Sequence, residues 1–174
     1  MSRGPDDRST IRDLHRHAPS IHRAAEAAYM LRRYTPHDEE AAIALWLRTW
    51  QAAYPQIDFA ERLGWWRERW RNELVPSAEI AIAQSESVII GFVTVDPHTL
   101  YLDQLVVAPE HWGSGVGGTL VDEAKRVSPS GLDLDVNTDN ARALNFYQKH
   151  RFSVRGTGVN PLSGKAVHRM SWRP

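Results

Sequence analysis

The chain has 174 residues, enough for one domain with a substantial buried core, and 42% of them are hydrophobic. Lysine and arginine together number 21, as do aspartate and glutamate, so the formal net charge is zero. This balance argues against a dedicated nucleic-acid-binding or membrane-surface protein, because both need a basic excess. The absence of cysteine excludes a cysteine nucleophile and a thiolate metal site.

Residues 1–28 mix arginines with acidic residues and contain few large apolar groups. We expect them to form a flexible or weakly helical extension to a single domain over residues 29–174. The first residues lack the apolar segment of a secretory signal, and no apolar run reaches the roughly 18 residues of a membrane span. The expected location is therefore cytoplasmic.

Apolar periodicity and turn residues divide the rest of the chain into seven strands and four helices. Their order predicts a mixed α/β domain with one parallel crossover through the third helix. The predicted elements are a strand at Tyr29–Arg33, a helix capped by Thr35 and running to about Ala53, a helix at Phe59–Leu74 that ends before Pro76, strands at Glu79–Gln84, Val88–Asp96 and Leu100–Val107, a helix from Gly115 to about Val127, a strand at Leu132–Val136, a helix capped by Asn140 and running to about His150, and strands at Phe152–Gly158 and Ala166–Trp172.

A cluster of glycines lies at the start of the third helix. Closely spaced glycines there leave backbone N–H groups bare, and together with the helix dipole they form an anion site. The spacing Gly113-x-Gly115-x-x-Gly118 also satisfies the dinucleotide-binding pattern G-x-G-x-x-G. A dinucleotide-binding turn follows its strand almost at once, whereas five residues separate Val107 from Gly113 here. A dinucleotide-dependent oxidoreductase is therefore the weaker alternative.

Two segments carry more specific motifs. In Val107-Ala-Pro109-Glu-His-Trp112-Gly-Ser-Gly115-Val-Gly117, a strand ending Val-x-Pro precedes a glycine loop. The segment Asn140–Phe152 has the pattern Asn-x-x-Ala…Phe-Tyr-x-Lys. Both resemble the GNAT superfamily of N-acetyltransferases, whose acyl-CoA loop reads Arg/Gln-x-x-Gly-x-Gly/Ala. The sequence departs from the family at Trp112, where Arg or Gln is usual, and at Arg151, where glycine is usual. The resemblance covers roughly residues 30–172.

The resemblance implies a GNAT fold, a mixed and mostly antiparallel sheet of about six or seven strands with a central parallel pair and helices on both faces. It also implies direct transfer of acetyl from acetyl-CoA to a primary amine in a ternary complex. The strand before the loop is expected to bulge and to splay from its parallel neighbour. Backbone N–H groups of this strand are then expected to face the thioester carbonyl, and Val107 is the residue that best matches this position. The residues that the resemblance assigns to acetyl-CoA binding are Leu105, Val106, Val107, Trp112, Gly113, Ser114, Gly115, Val116, Gly117, Gly118, Asn140 and Tyr147.

Tyr147 is the candidate general acid. A phenol with a pKa of about 10 can donate a proton to a departing thiolate, and the resemblance implies that this tyrosine lies beside the sulfur. The alternative is that Tyr147 only packs, since it shares a helix face with apolar residues. Asp103 is the candidate general base, directly or through water. Alternation along its strand is expected to place it on the same face as Leu105 and Val107.

Aromatic residues concentrate in the first two helices, and most are expected to be core because they lie one helical turn apart. The resemblance implies that these helices border the acceptor site. Trp50, Tyr54 and Phe59 are therefore candidates for an amine pocket, where aromatic faces favour cations. Asp133 or Asp135 is an alternative ligand for a cationic acceptor. The arginines expected to be a solvated helix surface are Arg48, Arg67, Arg69 and Arg71.

The remaining expectations concern partners. No pair of histidines has metal-ligand spacing, so no metal is expected. The acceptor is a small-molecule or protein amine, with a polyamine or aminoglycoside, an amino acid, and a protein N-terminus or lysine all left open. A non-catalytic acyl-CoA-binding or sensor domain is the alternative function, and the presence of Tyr147 favours the enzyme. A homodimer is compatible with the resemblance, and no nucleic-acid or membrane partner is expected.

Overall fold

The computed structural model describes residues 29–174, so the extension predicted for residues 1–28 lies outside the described residues. The strands are β1 (Met30–Arg33), β2 (Glu79–Ser85), β3 (Val88–Asp96), β4 (Tyr101–Val107), β5 (Leu132–Asn137), β6 (Ser153–Val159) and β7 (Ala166–Trp172). They form one seven-stranded sheet in the order β1-β2-β3-β4-β5-β7-β6. All neighbours are antiparallel except β4 and β5, which form the predicted parallel pair.

The helices lie on both faces of this sheet. They are α1 (Glu39–Ala53), α2 (Leu63–Arg69), α3 (Val75–Ser77), α4 (Val116–Val127) and α5 (Ala141–Lys149). One buried apolar cluster joins α1 and α2 to the sheet, and a second joins α4 and α5 to its other face. Every predicted strand and helix is present, with small differences at the ends.

The second predicted helix ends later than expected. A π-helical turn at Trp70–Leu74 continues α2 directly into α3, and the helical backbone runs through Pro76 to Ser77. The prediction that the helix ends before Pro76 is therefore wrong. Pro76 lies just after the π-helical turn, so its missing N–H falls where the α-helical hydrogen bonds are already interrupted.

The parallel pair β4 and β5 separates along its length. The strands pair only at Tyr101 and Asp133, where the Asp133 N–H also donates to the carbonyl of Leu100 at 2.7 Å. Beyond this point β4 continues to Val107 and β5 to Asn137 without pairing to each other. The expected splay is confirmed, and it leaves a gap that opens toward the carboxyl ends of both strands.

A β-bulge at Asp103 changes which residues of β4 share a face. Gln104 lies opposite Thr94 and Leu102 lies opposite Val95, so Asp103 is the extra residue. Leu105 packs with the cluster on the α4 and α5 face, whereas Asp103 contacts Arg69 of α2. The prediction that Asp103 shares a face with Leu105 and Val107 is therefore wrong, because alternation does not continue through a bulge.

Candidate active site

Two backbone N–H groups of β4 face the gap. The Ala108 N–H donates to the carbonyl of Ile90 on β3 at 2.8 Å, and Val106 lies opposite Phe92. Antiparallel strands alternate the direction of their hydrogen bonds, so the N–H groups of Leu105 and Val107 point away from β3, toward β5. Because β5 has moved away there, these donors line the gap.

The loop after β4 presents a group of unpaired N–H donors. Gly113 and Gly115 have left-handed backbones, with φ of +79° and +94°, which glycine adopts without strain. Their N–H groups have no acceptor among residues 29–174. Gly115 caps α4, and Val116, Gly117 and Gly118 form its first turn, where N–H groups have no intrahelical partner. These donors and the helix dipole form an anion site.

Ser114 differs from its neighbours in this loop. Its N–H donates to the carbonyl of His111 at 3.2 Å, and its hydroxyl donates to the same carbonyl at 2.6 Å. Ser114 therefore stabilises the turn through both groups.

Gly117 and Gly118 lie in a close contact between two helices. A Cβ at Gly117 would lie 3.2 Å from the ring of Phe146, and one at Gly118 would lie 3.0 Å from the ring of His150. Both rings belong to the end of the Asn140–Phe152 segment. The first turn of α4 thus packs closely against α5, which brings the two sequence motifs together.

Trp112 and Arg142 also connect the two motifs. The indole Nε1 of Trp112 donates to the carbonyl of Val107 at 2.8 Å, which fixes the ring beside the end of β4. The guanidinium carbon of Arg142 lies 3.6 Å from the centroid of that ring. Within residues 29–174, Arg142 forms no ion pair with a carboxylate. The sequence interpretation missed Arg142, although the departure at Trp112 was a signal to look for a cation nearby.

Asn140 caps α5 as predicted, because its Oδ1 accepts the N–H of Ala143 at 3.0 Å. The helix places Tyr147, 9% exposed, in the apolar cluster that also includes Leu105 of β4 and Val136 of β5. The Tyr147 hydroxyl has no hydrogen-bond partner in the described part of the chain. Burial raises the pKa of Tyr147, and nearby Tyr101 raises it further, so the phenol stays protonated at neutral pH.

Asp103 lies in a bidentate ion pair. Its carboxylate accepts hydrogen bonds from Nη1 and Nη2 of Arg69 at 2.8 and 2.5 Å, and from Nε2 of Gln104 at 3.0 Å. The Arg69 and Asp103 side chains are each 17% exposed, and Arg69 also pairs with Glu73 at 3.1 Å. Arg69 lies over the ring of Trp66 as well. The expectation that Arg69 is a solvated surface residue is wrong, because its partner on β4 lies 34 residues away in the sequence.

The other strand carboxylates also have partners. Asp133 accepts a hydrogen bond from the hydroxyl of Ser171 at 2.6 Å and pairs with Arg173 at 2.9 Å. Asp135 lies 3.5 Å from the hydroxyl of Tyr101. Both carboxylates therefore have partners within the described chain, which does not favour either as the ligand of a cationic acceptor.

The three aromatic candidates for the acceptor pocket lie together. The Trp50 and Tyr54 rings stack with centroids 5.9 Å apart, and the Trp50 and Phe59 centroids are 6.0 Å apart. Phe59 is buried against Trp46 in the core, whereas Trp50 is half-buried. Phe59 therefore supports the position of Trp50, which in turn stacks on Tyr54.

The carboxyl end of α1 spans the mouth of the gap. The Thr49 hydroxyl lies 3.5 Å from the carbonyl of Val107, at the end of β4. The Tyr54 hydroxyl accepts a hydrogen bond from Nδ2 of Asn137, the last residue of β5, at 3.3 Å. It donates to Oδ1 of Asp139 at 3.4 Å. Tyr54 thus joins the acceptor-side helix to the open end of the gap.

Two further findings concern only residues 29–174. Among them no group of three or more His, Cys, Asp or Glu side chains is arranged to hold a metal ion. None of the helices there is both long and apolar enough to cross a membrane.

Comparison with known proteins agrees with this geometry. Residues 39–152 match the family model described as acetyltransferase (GNAT) family. The peptidyl-lysine N-acetyltransferase YjaB of Salmonella typhimurium is 30% identical over 127 residues, covering 72% of this chain and 84% of the relative. The apo-form YjaB structure from Escherichia coli is 27% identical, with a TM-score of 0.67, over 83% of this chain and 97% of that one.

A second solved structure shares the fold with a lower identity. It is the PaiA N-acetyltransferase of Thermoplasma acidophilum in complex with coenzyme A, 21% identical with a TM-score of 0.68, over 84% of this chain and 99% of that one. The fold and the site define an acyl-CoA-dependent N-acyltransferase. The chain belongs to the acetyltransferase (GNAT) family, and it transfers acetyl from acetyl-CoA to an amine.

Proposed function

We propose that the protein acetylates the ε-amino group of a lysine side chain in a protein or peptide. The observation that carries the proposal is the gap between β4 and β5, with N–H donors of Leu105 and Val107 on one side and Tyr147 beside it. The choice of lysine as acceptor is supported by the relatives named peptidyl-lysine N-acetyltransferase.

The residues of the glycine loop fit the pyrophosphate of acetyl-CoA. The unpaired N–H groups of Gly113 and Gly115 and the first turn of α4 are suited to bind phosphate oxygens. Arg142, held on the face of Trp112, supplies the cation that the residue at position 112 does not. The absence of a carboxylate partner in the described chain leaves its guanidinium available for an anion.

The chemistry requires polarisation of a carbonyl and protonation of a leaving group. Acetyl-CoA brings a thioester, whose carbonyl the N–H groups of Leu105 and Val107 are placed to polarise. Tyr147 acts as general acid toward the departing sulfur, since its phenol is protonated at neutral pH and lies beside the gap. With no cysteine in the chain to carry the acyl group, the amine attacks directly, and holding both substrates together lowers the entropic barrier.

The role of Asp103 as the general base remains a prediction. Its two carboxylate oxygens already accept hydrogen bonds from Arg69, so accepting a proton would weaken that pair. The bulge also places it on the α2 face, which is the side from which the acceptor is expected. A water molecule between Asp103 and the amine is the arrangement most compatible with this ion pair.

An acceptor panel tests the proposal. The protein is incubated with acetyl-CoA and, separately, an N-terminally blocked peptide with one lysine, the same peptide with arginine in its place, an unblocked lysine-free peptide, and spermidine. Only the lysine peptide is expected to gain the mass of one acetyl group. Acetylation of the free N-terminus or of spermidine, with the lysine peptide unmodified, would overturn lysine as the acceptor while leaving acetyl transfer intact.

A further inference from the structure

An ammonium group of the chain itself lies at the mouth of the gap. The Nζ of Lys165 is 3.2 Å from Oδ2 of Asp139 and 4.7 Å from the centroid of the Tyr54 ring. The other carboxylate oxygen, Oδ1, accepts the hydrogen bond from the Tyr54 hydroxyl. An aromatic face and a carboxylate together are the chemistry that recognises a primary ammonium.

The parts of this arrangement are held in place independently of Lys165. Tyr54 is 8% exposed, and its hydroxyl is fixed by Asn137 at the end of β5. Asp139 lies directly before Asn140, the residue that caps α5. A buried aromatic ring and a carboxylate that is 57% exposed and accepts the hydrogen bond of the ring's own hydroxyl therefore lie together at the mouth of the gap.

The backbone around Lys165 is also anchored. The carbonyl of Lys165 accepts the N–H of Asn160 at 2.8 Å, which closes the turn between β6 and β7. The Thr138 N–H donates to the carbonyl of Ala166 at 3.0 Å, which ties the start of β7 to the end of β5. The Lys165 side chain thus starts beside Asp139 and reaches the Tyr54 ring without rearrangement of the sheet.

The side chain of an acceptor lysine is also a primary ammonium when it reaches the protein. With an unperturbed pKa of about 10.4, it is almost entirely an ammonium at neutral pH. Its proton must leave before the amine attacks the thioester, but the form that first meets the protein is the cation. A site for a primary ammonium where α1 meets the ends of β4 and β5 lies on the path to the gap.

We propose that the Tyr54 face and the Asp139 carboxylate form a binding site for the ammonium of the acceptor lysine, and that Lys165 occupies it in the resting protein. The acceptor must displace Lys165 to enter. This inference rests on the proposed function for the identity of the acceptor, and on the contacts of Lys165 for the site itself. Tyr54, Asp139 and Lys165 act as positioning residues, so they govern the KM of the acceptor and leave kcat largely unchanged.

Substitutions show whether the Lys165 ammonium competes with the acceptor lysine or only stabilises the structure. Lys165→Met keeps the aliphatic stem and removes the charge, so the KM for a lysine peptide should fall about five- to tenfold. Lys165→Arg keeps a cation on the ring and should behave like the wild type. Asp139→Asn should raise the KM. The control is Arg155→Met, since Arg155 is an exposed cation of β6 outside both motifs and forms no ion pair within residues 29–174.

A binding measurement makes the test independent of catalysis. n-Butylammonium is titrated into the CoA-bound protein and followed by the NMR signals of the Tyr54 ring. Lys165→Met should bind it at least fivefold more tightly than the wild type, and Asp139→Asn more weakly. Equal affinity of the wild type and Lys165→Met, or a raised peptide KM in Lys165→Met, would overturn the ammonium site. If butylammonium binds as expected but no lysine peptide is acetylated, the site stands and the acceptor assignment fails.

Discussion

The guanidinium of Arg142 lies 3.6 Å from the centroid of the Trp112 ring, across the boundary between the glycine loop and α5. Position 112 is where the family usually carries Arg or Gln, and Trp112 cannot supply a positive charge. Its indole instead binds the carbonyl of Val107 and offers a flat face to a cation from another helix. In the proposed site, Arg142 of α5 therefore supplies the positive charge that position 112 of the loop lacks.

Arg142→Ala should weaken binding of acetyl-CoA about tenfold, because one charge-assisted contact to a phosphate is lost. Isothermal titration calorimetry with CoA measures the affinity directly. Arg155→Ala is the control, since Arg155 is an exposed arginine of β6 with no ion pair within the described chain. Equal affinities of the Arg142→Ala variant and the wild type would show that Arg142 does not contact the cofactor.

Tyr147→Phe should lower kcat by on the order of a hundredfold, because the proton for the leaving thiolate is lost while the ring still fills its apolar site. Steady-state assays with a lysine peptide give kcat, and calorimetry should show CoA affinity within about twofold of the wild type. Tyr34→Phe removes a hydroxyl that only accepts the Trp70 indole N–H, so its kcat should not change. An unchanged kcat in Tyr147→Phe would leave this tyrosine with a packing role alone.

The bidentate pair of Arg69 and Asp103 should stabilise the fold. Removing one partner leaves a largely buried charge, so Arg69→Met and Asp103→Asn should each lower the free energy of unfolding by about 2 kcal/mol. Urea unfolding of both variants and of the double variant gives their coupling energy, which should be at least 1 kcal/mol. Arg71→Met is the exposed comparison and should lower the free energy of unfolding less than either of these variants.

The same two variants test the predicted base. If Asp103 takes the proton from the amine, Asp103→Asn must lower kcat strongly, and Arg69→Met must retain a large part of the activity because the carboxylate remains. Equal losses of kcat in the two variants would point to a shared structural effect. The pH profile of kcat, measured for both, separates these outcomes, because loss of a base removes the acidic limb.

Acid should destabilise the protein through Asp38. Hydrogen bonds from the Arg32 guanidinium at 2.7 and 2.8 Å lower the pKa of Asp38 to about 2, compared with about 3.9 in an unfolded chain. A lowered pKa in the folded state stabilises the fold above pH 4, and this contribution of about 2 kcal/mol is lost as the pH falls toward 2. Urea unfolding at pH 5 and pH 2.5 should show a smaller pH dependence in Asp38→Asn than in the wild type. Equal dependences would contradict the assignment.

Local patterns in the sequence were sufficient for much of the fold and part of the site. Alternation and turn residues placed β3 and β7 at their observed bounds, and the Asn140 cap follows from a side chain that bonds three residues ahead. A bulge in β4 was expected from the resemblance, but its position at Asp103 could not be predicted, because the neighbouring residues still fit an alternating pattern. The pairing of Arg69 with Asp103 depends on elements that are distant in sequence, which no local pattern encodes.

The contacts of Lys165 could not be predicted from the sequence for the same reason. They bring together the end of α1, the residue before α5 and the turn before β7, and these segments meet only once the sheet has formed. Asp139 had a faint signal, since it directly precedes the Asn140 motif. Nothing in the local sequence of Lys165 distinguishes it from an ordinary turn lysine.

The missing side chains at Gly117 and Gly118 have a mechanical consequence. A Cβ at Gly117 or Gly118 would crowd the ring of Phe146 or His150, so the first turn of α4 packs closely against the last turns of α5. Tyr147, the proposed general acid, lies between those two rings in sequence. In the proposed site, the glycine loop and Tyr147 are therefore connected through a close contact between two helices, which would set the distance between the two parts of the site.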